Sequence, residues 1–221
     1  RQMCIRDRKI LRYPNDSYDV GSYYKGEHLN DIWGLTTIGI AKSQEEMDAH
    51  LAKVDQSSVG TNWGVGDIMY ADLDGDGKIS NGTNKLGDTG DYRIIGNSTP
   101  RFKYGITLDA AWKGFDFSIF MQGIGKRDLW LDGCYFWGAN GQGNEWQSTG
   151  FAEHWDFFRP EGDPLGANLN SYYPRVNFSG DRNTKVQTRY LQNGAYLRLK
   201  NVQLGYTLPR VWTEKAGISS V

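Results

Sequence analysis

Between Arg101 and Gln122, apolar and polar residues trade places at almost every step. Phe102, Tyr104, Ile106, Leu108, Ala110 and Trp112 hold one parity, while Arg101, Lys103, Gly105, Thr107, Asp109 and Lys113 hold the other. Past Lys113-Gly114, the apolar residues Phe115, Phe117, Ile119 and Met121 alternate with Asp116, Ser118, Phe120 and Gln122. Successive side chains of a strand point to opposite faces, so this pattern requires a sheet with one apolar and one polar face. Each run is about a dozen residues long, roughly twice the usual strand. Two such runs around a two-residue turn predict a hairpin over 101–124. A third long strand is predicted over 195–208. Its apolar set is Leu197 and Leu199, then Val202, Leu204, Tyr206 and Leu208. The change of phase near Lys200-Asn201 predicts a β-bulge. Pro209 ends the strand, and Val211–Gly217 reads as a short, helical linking turn.

Composition narrows what such strands belong to. The mean hydropathy is -0.61, and no stretch approaches the roughly 20 apolar residues of a membrane-spanning helix. A transmembrane barrel stays open, because its strands alternate and average to a hydrophilic value. Lys and Arg total 25 against 26 Asp and Glu, a net charge of -1, which gives none of the basic excess of a nucleic-acid binder. The 28 Gly among 221 residues are about twice the usual ~7% share. With 8 Trp and 13 Tyr, they point to strands, long loops and recognition surfaces, and away from a helical bundle. The two cysteines, Cys4 and Cys134, form no CxxC pair, and His28, His50 and His154 show no metalloprotease spacing. The chain opens on Arg1 without an apolar leader. Residues 1–10 are charged and aperiodic, and are set apart as a prefix to a fragment.

Elsewhere, Ile32-Trp33-Gly34-Leu35-Thr36-Thr37-Ile38-Gly39-Ile40 reads as one strand. Ser43-Gln44-Glu45-Glu46 is a capping box, and Met47, Leu51 and Val54 extend an amphipathic helix over 44–54. This short helix lies in a long loop, 41–100, and residues 55–66 within it read as irregular. A second long loop spans 125–193 and is rich in aromatics, Gly and Asn. Long strands with short links on one side and long loops on the other fit an outer-membrane barrel, whose tilted strands need about 9–11 residues to cross. A β-sandwich with a one-sided core uses the same period, so both remain open on pattern alone.

An ordered series of segments carries a resemblance. It runs from Gly66-Asp67-Ile68-Met69-Tyr70-Ala71-Asp72-Leu73-Asp74-Gly75-Asp76-Gly77-Lys78-Ile79 through Ile94-Ile95-Gly96-Asn97-Ser98-Thr99-Pro100-Arg101-Phe102 and Lys113-Gly114-Phe115-Asp116. Phe120-Met121-Gln122-Gly123, Tyr173-Pro174-Arg175 and Tyr196-Leu197-Arg198-Leu199-Lys200-Asn201-Val202-Gln203-Leu204-Gly205-Tyr206 complete it. Together, over residues 26–221, they resemble the C-terminal part of SusC/RagA-type TonB-linked outer-membrane transporters of Bacteroidota. The resemblance implies an all-β fold: a partial transmembrane antiparallel β-barrel, a segment of a barrel of about 22 strands, with long extracellular loops and one short helix. It implies import of glycans, oligosaccharides or peptides rather than an enzyme. The implied partners are a SusD-like lipoprotein as lid, the TonB–ExbB–ExbD system acting through an N-terminal part absent from this chain, and outer-membrane lipid. The plug and the last strands of the family are not matched either. The alternative is a secreted, calcium-stabilised carbohydrate-binding β-domain, with a glycoside hydrolase as a weaker third. The first two separate on Phe102, Ile106, Leu108, Phe117 and Ile119, which face lipid in a barrel and are buried under a second sheet in a sandwich.

Two constellations are candidate sites. Asp72, Asp74 and Asp76 before Gly77 fit the first half of an EF-hand-type calcium loop, with Lys78 offering its carbonyl and Ser80 a further oxygen. Thr83 stands where that loop has a bidentate Glu, and Asp88 or Asp91 is the candidate replacement. The competing reading is an acidic turn whose Asp side chains cap local amides. In the second long loop, Trp130, Tyr135, Trp137, Trp146 and Trp155 are candidate substrate contacts, since flat rings stack on sugars; the competing reading is a core that orders the loop. His154 beside Trp155 has no nucleophile or orienting partner in the sequence, and no motif selects a catalytic carboxylate pair.

Overall fold

The computed structural model describes residues 4–6, 8–141, 143, 150–215 and 217. In order, they hold β1 (Cys4–Arg6), β2 (Lys9–Arg12), β3 (Asp31–Gly34), β4 (Thr37–Ile40), α1 (Gln44–Leu51), β5 (Ile68–Tyr70) and β6 (Arg93–Asn97). Then come β7 (Arg101–Trp112), β8 (Phe115–Lys126), β9 (Asp128–Leu129), α2 (Cys134–Trp137), a 3-10 turn at Ala152–Trp155, β10 (Gln192–Asn193), β11 (Tyr196–Tyr206) and α3 (Arg210–Lys215). The fold is all-β in character, and among the described residues no helix is long and apolar enough to cross a membrane. The chain divides into a sheet unit (Pro100–Arg127 with Asn193–Val221) and a loop unit (Arg1–Thr99 with Asp128–Gln192).

The sheet unit is an antiparallel three-stranded sheet in the order β11–β8–β7. Its register shows how completely the alternation is used. Ile106 pairs with Met121, Leu108 with Ile119, Ala110 with Phe117 and Trp112 with Phe115. On the other side of β8, Leu199 meets Met121, Val202 meets Ile119, Leu204 meets Phe117 and Tyr206 meets Phe115. Directly opposed residues share a face, so one face is apolar across all three strands. The other carries Lys103, Thr107, Asp109, Asp116, Gln122, Arg198 and Gln203, with Phe120, Ile124 and Tyr196 as large apolar or aromatic exceptions. The register shifts between Leu199 and Asn201. Lys200 is thereby the extra residue that keeps Leu197 and Leu199 on the same face as Val202 and Leu204. Without this bulge a slip of one residue would turn half the strand's apolar set over.

Lys113 and Gly114 both take positive φ, 48° and 89°, the two-residue hairpin turn whose twist matches the strands it joins. Gly123 is required by a close approach: a Cβ there would lie 2.4 Å from the phenol end of Tyr104, its cross-strand neighbour. Phe102 departs from strand geometry, with φ 52°. The apolar face of the sheet is uncovered, Leu108 being 54% and Leu204 73% exposed.

The loop unit is built differently. Residues 32–40 form two strands instead of one: β3 pairs with β6, and β4 pairs with β5. The break falls at Leu35, which is fully buried. Its amide donates to the Val186 carbonyl at 2.8 Å, and its carbonyl accepts from the Thr188 amide at 3.0 Å. A tertiary partner inserted mid-strand thus divides what the sequence runs together. Helix α1 starts as predicted, with the Ser43 hydroxyl accepting from the Glu46 amide at 3.2 Å. The Glu46 carboxylate, however, accepts from the Lys42 amide at 2.7 Å, one residue upstream of the expected partner. The helix ends at Leu51, before the predicted 54, and the chain turns to bond Asp55 to the segment 77–79: Asp55 donates to Gly77 and Ile79 donates to Asp55, both at 2.8 Å.

Residues 125–193 hold little regular structure, yet they are packed. Leu35, with Ile68, Tyr70 and Ile79 from the first loop, joins Trp137, Phe158, Tyr173 and Tyr190 from the second in one core. Ile10 is fully buried, bonded to Glu27 and Gly26 through its backbone, with Leu29 donating to Arg8. A buried charge network ties the two loops together. Asp67, fully buried, receives Arg175 Nε at 2.7 Å and Nη2 at 2.6 Å, and Asn183 Nδ2 at 2.8 Å. Arg182 lies 3.8 Å away.

Candidate functional site

The aspartate loop is shaped by its own carboxylates. Asp72 accepts from the amides of Gly75 at 2.6 Å and Gly77 at 2.9 Å. The Gly77 amide first, then that of Gly75, holds the Asp72 carboxyl below its ordinary value. Asp74 accepts from the Asp76 amide at 3.1 Å. That bond lowers its pKa, but partial desolvation and the charges of Asp91, Asp76 and Asp72 outweigh it and carry Asp74 above its ordinary value. Asp91 arrives from eleven residues beyond Ser80 and is fully buried. It accepts from Leu73 at 2.6 Å and from Ser80 at 2.8 Å.

The result is a convergence of Asp72, Asp74 and Asp91, each with a carboxylate oxygen within 4.8 Å of the others. Of the residues expected to bind metal, the structure brings Asp72 and Asp74 together and adds Asp91, one of the two candidate replacements for the missing Glu. Asp88 instead accepts from the Thr83 amide at 3.1 Å. Asp76 stands outside that group of three and accepts from the Lys78 amide at 2.8 Å, while Ser80 Oγ accepts from Gly82 at 3.1 Å. Three carboxylates on one point offer oxygen donors only, the chemistry of a hard divalent cation.

The aromatic residues separate by burial. Trp137 is 2% exposed, with Tyr190 at 4.8 Å, Phe136 at 5.1 Å and Trp130 at 5.8 Å between ring centroids. Its ring is part of the core, and Trp130 packs beside it. Tyr135 is 84% exposed and Trp155 58%. Tyr135 stacks on Phe151 at 5.6 Å, and the Arg159 guanidinium lies 5.4 Å from the Trp155 ring. Trp146 lies outside the described residues. Both nitrogens of His154 are engaged with backbone: Nδ1 accepts from the Phe151 amide at 2.9 Å, and Nε2–H donates to the Phe136 carbonyl at 3.1 Å.

The Asp67–Arg175 pair is the feature that residue-by-residue reading missed. A signal for it existed, because Gly66-Asp67 and Tyr173-Pro174-Arg175 are both segments of the resemblance, and here they are partners. The Arg175 amide also donates to the Gly66 carbonyl at 2.8 Å. A Cβ on Gly66 would lie 2.4 Å from Phe158 and 2.8 Å from the Arg175 side chain.

No protein-family model matches the chain. Among curated proteins it is similar to TonB-dependent receptor P26 of Formosa agariphila, 30% identical over 199 residues, covering 89% of this chain and 17% of that protein. It is also similar to TonB-dependent receptor P3 of the same organism, 32% identical over 157 residues, covering 71% of this chain and 13% of that protein. The chain thus spans about a sixth or less of the length of these relatives. Alignment across nearly the whole chain, together with an all-β fold whose long strands sort apolar from polar residues, places this chain among the TonB-dependent receptors.

Proposed function

We propose that this chain is a wall-and-loop segment of a SusC-type outer-membrane transporter, in which the apolar sheet face meets acyl chains and the opposite face meets the aqueous lumen. The observation that carries this is the sorting of β7, β8 and β11 into one uncovered apolar face and one largely polar face. An apolar-out, polar-in alternation is what a transmembrane barrel strand needs. A soluble protein rarely leaves so continuous an apolar patch open. In this reading the loop unit is extracellular, and the full-length protein imports glycans, oligosaccharides or peptides under a SusD-like lid, energised by TonB. Tyr135 and Trp155 supply the solvent-facing rings suited to stacking on a sugar. Support comes from the two relatives' names and from the sheet's geometry.

Single-cysteine replacements at 106, 107, 108 and 109 in a full-length receptor test the membrane part. A water-soluble maleimide should label positions 107 and 109 and spare 106 and 108. Equal labelling at all four would sink it. For the loop unit, Tyr135→Ala and Trp155→Ala should each weaken oligosaccharide binding several-fold in a titration; unchanged affinity in both would remove the sugar contact.

We also propose that Asp72, Asp74 and Asp91, with oxygens of Asp76, Lys78 and Ser80, hold a calcium ion that fixes the 72–91 loop. The specific support is the burial of Asp91 beside two carboxylates that, among the described residues, accept only from backbone amides. Calcium titrated calorimetrically into the parent chain should bind, and Asp74→Ala should abolish the heat. A parent chain that gives no heat ends the proposal.

A further inference from the structure

A net charge near zero hides an uneven distribution. The sheet unit, Pro100–Arg127 with Asn193–Val221, holds nine Lys or Arg against three Asp or Glu. On the polar face of β7, β8 and β11 the charges separate further. Arg101 pairs with Lys126, Ile124 stands between Lys103 and Tyr196, and Gln122 between Gly105 and Arg198. Four cations thus gather at the end of the sheet away from the Lys113-Gly114 turn, and no carboxylate shares those rungs. Lys103, Lys126 and Arg198 are exposed. Asp109 and Asp116 lie toward the turn, opposite Ser118 and Ala111. Asp109 is six residues along β7 from Lys103, about 20 Å at the rise of a strand. Asp116 is as far along β8 from Gln122, the partner of Arg198. Such a separation is more than twice the screening length of about 8 Å in physiological salt, so these acids leave the cations uncompensated. Among the described residues, no ion pair joins Arg101, Lys103, Lys126 or Arg198 to a carboxylate. The Arg198 guanidinium lies instead 4.4 Å from the Tyr196 ring centroid.

One rung further toward the turn, Phe120 stands between Thr107 and Asn201 and is 37% exposed. A Cβ on Gly105 would lie 3.1 Å from the Phe120 ring, so the glycine lets that ring lie over β7. A flat, open ring can stack on the C–H face of a sugar, and the Thr107 hydroxyl with the Gln122 and Asn201 amides can bond the sugar's hydroxyls. A neutral sugar would use the ring and leave the cations idle, whereas a purely acidic peptide would use the cations and leave the ring idle. We propose that this end of the polar face is a docking surface for an oligosaccharide bearing carboxylate or sulfate groups. Its anions meet Lys103, Lys126 and Arg198, and one of its rings stacks on Phe120. The assignment rests on the transport reading, in which this face looks into the lumen, and it narrows the imported solute to an acidic glycan.

The test uses a full-length receptor carrying Thr107→Cys as a reporter opposite Phe120, labelled with an uncharged, water-soluble maleimide. The probes are trigalacturonate, a sulfated galactotriose, the carboxyl-reduced and therefore neutral form of trigalacturonate, and tetraglutamate. At least one acidic sugar should protect the thiol saturably, and whichever protects identifies the anion as carboxylate or sulfate. The neutral sugar should protect several-fold more weakly. Lys103→Gln and Arg198→Gln should each weaken protection by the acidic sugar about 5-fold, the upper range for one exposed ion pair, and leave the neutral sugar unchanged. Phe120→Ala should weaken both sugars alike, and added salt should shrink the gap between them. The acidic-glycan assignment is overturned if neither acidic sugar protects, if the neutral sugar protects equally, or if Lys103→Gln and Arg198→Gln are both silent. Equal protection by tetraglutamate would also overturn it, pointing to an acidic peptide. A thiol at 107 that never labels removes the lumen reading and this surface together, whereas labelling without charge dependence removes the acidic glycan alone.

Discussion

The sheet unit has the most regular secondary structure in the molecule and almost no burial, whereas the loop unit has little regular structure and nearly all of the core. β7, β8 and β11 pair along nearly their whole length, but Leu108, Leu197, Leu199 and Leu204 stand in the open. In the loop unit, short strands and turns hold Trp137, Tyr70 and Tyr190 out of water, and Asp67 is buried with its arginine. Hydrogen-bonded regularity and hydrophobic stabilisation are thus separable. The loops supply their own interior, while the sheet's apolar side chains gain nothing until something apolar covers them.

That contrast sets the order of expected effects. Trp137→Ala removes a large side chain from the loop core and should cost about 4 kcal/mol of loop-unit stability, read as an earlier denaturant transition; a cost below about 1 kcal/mol would mean the ring is not core. Asp67→Ala strips the partner from Arg175 and should cost roughly 3 kcal/mol in the same measurement. The sheet should answer to its medium instead. Leu204→Arg is expected to cost roughly 2 kcal/mol when a full-length receptor is folded into phospholipid vesicles, yet stay within about 0.5 kcal/mol in the isolated chain in water. Equal effects in both media would erase the distinction between the two regions.

Smaller effects refine the picture within the loop unit. Ser43→Ala deletes the α1 cap and should cost about 1 kcal/mol, visible as faster amide exchange at Glu46. The smallest effect is in pH. Because the Asp72 carboxyl lies below its ordinary value in the folded chain, its contribution is fully present above the unfolded value of about 3.9. It is then lost as pH falls through the lowered folded value. Exchange at the Gly75 and Gly77 amides should accordingly quicken only below about pH 4; loosening near neutrality would contradict these bonds.

Sequence by itself determined the sheet. The parity of Ile106, Leu108, Phe117 and Ile119, the Lys113-Gly114 turn and the phase slip at Lys200 follow from period-two geometry acting on neighbours in the chain, and so are legible locally. The start of α1 at Ser43 was legible for the same reason. The first three aspartates of the acidic loop were visible as a motif. The tertiary structure alone decided that Asp91 and not Asp88 joins them, because that depends on where the chain returns after eleven residues. It alone split 32–40 at Leu35, whose partners come from residues 186 and 188. It also sorted the tryptophans into the buried Trp137 and the exposed Trp155, a distinction that composition does not carry. Contacts between residues a hundred positions apart, such as Asp67 with Arg175, have no period to betray them; they arise only when two irregular segments close over a common core.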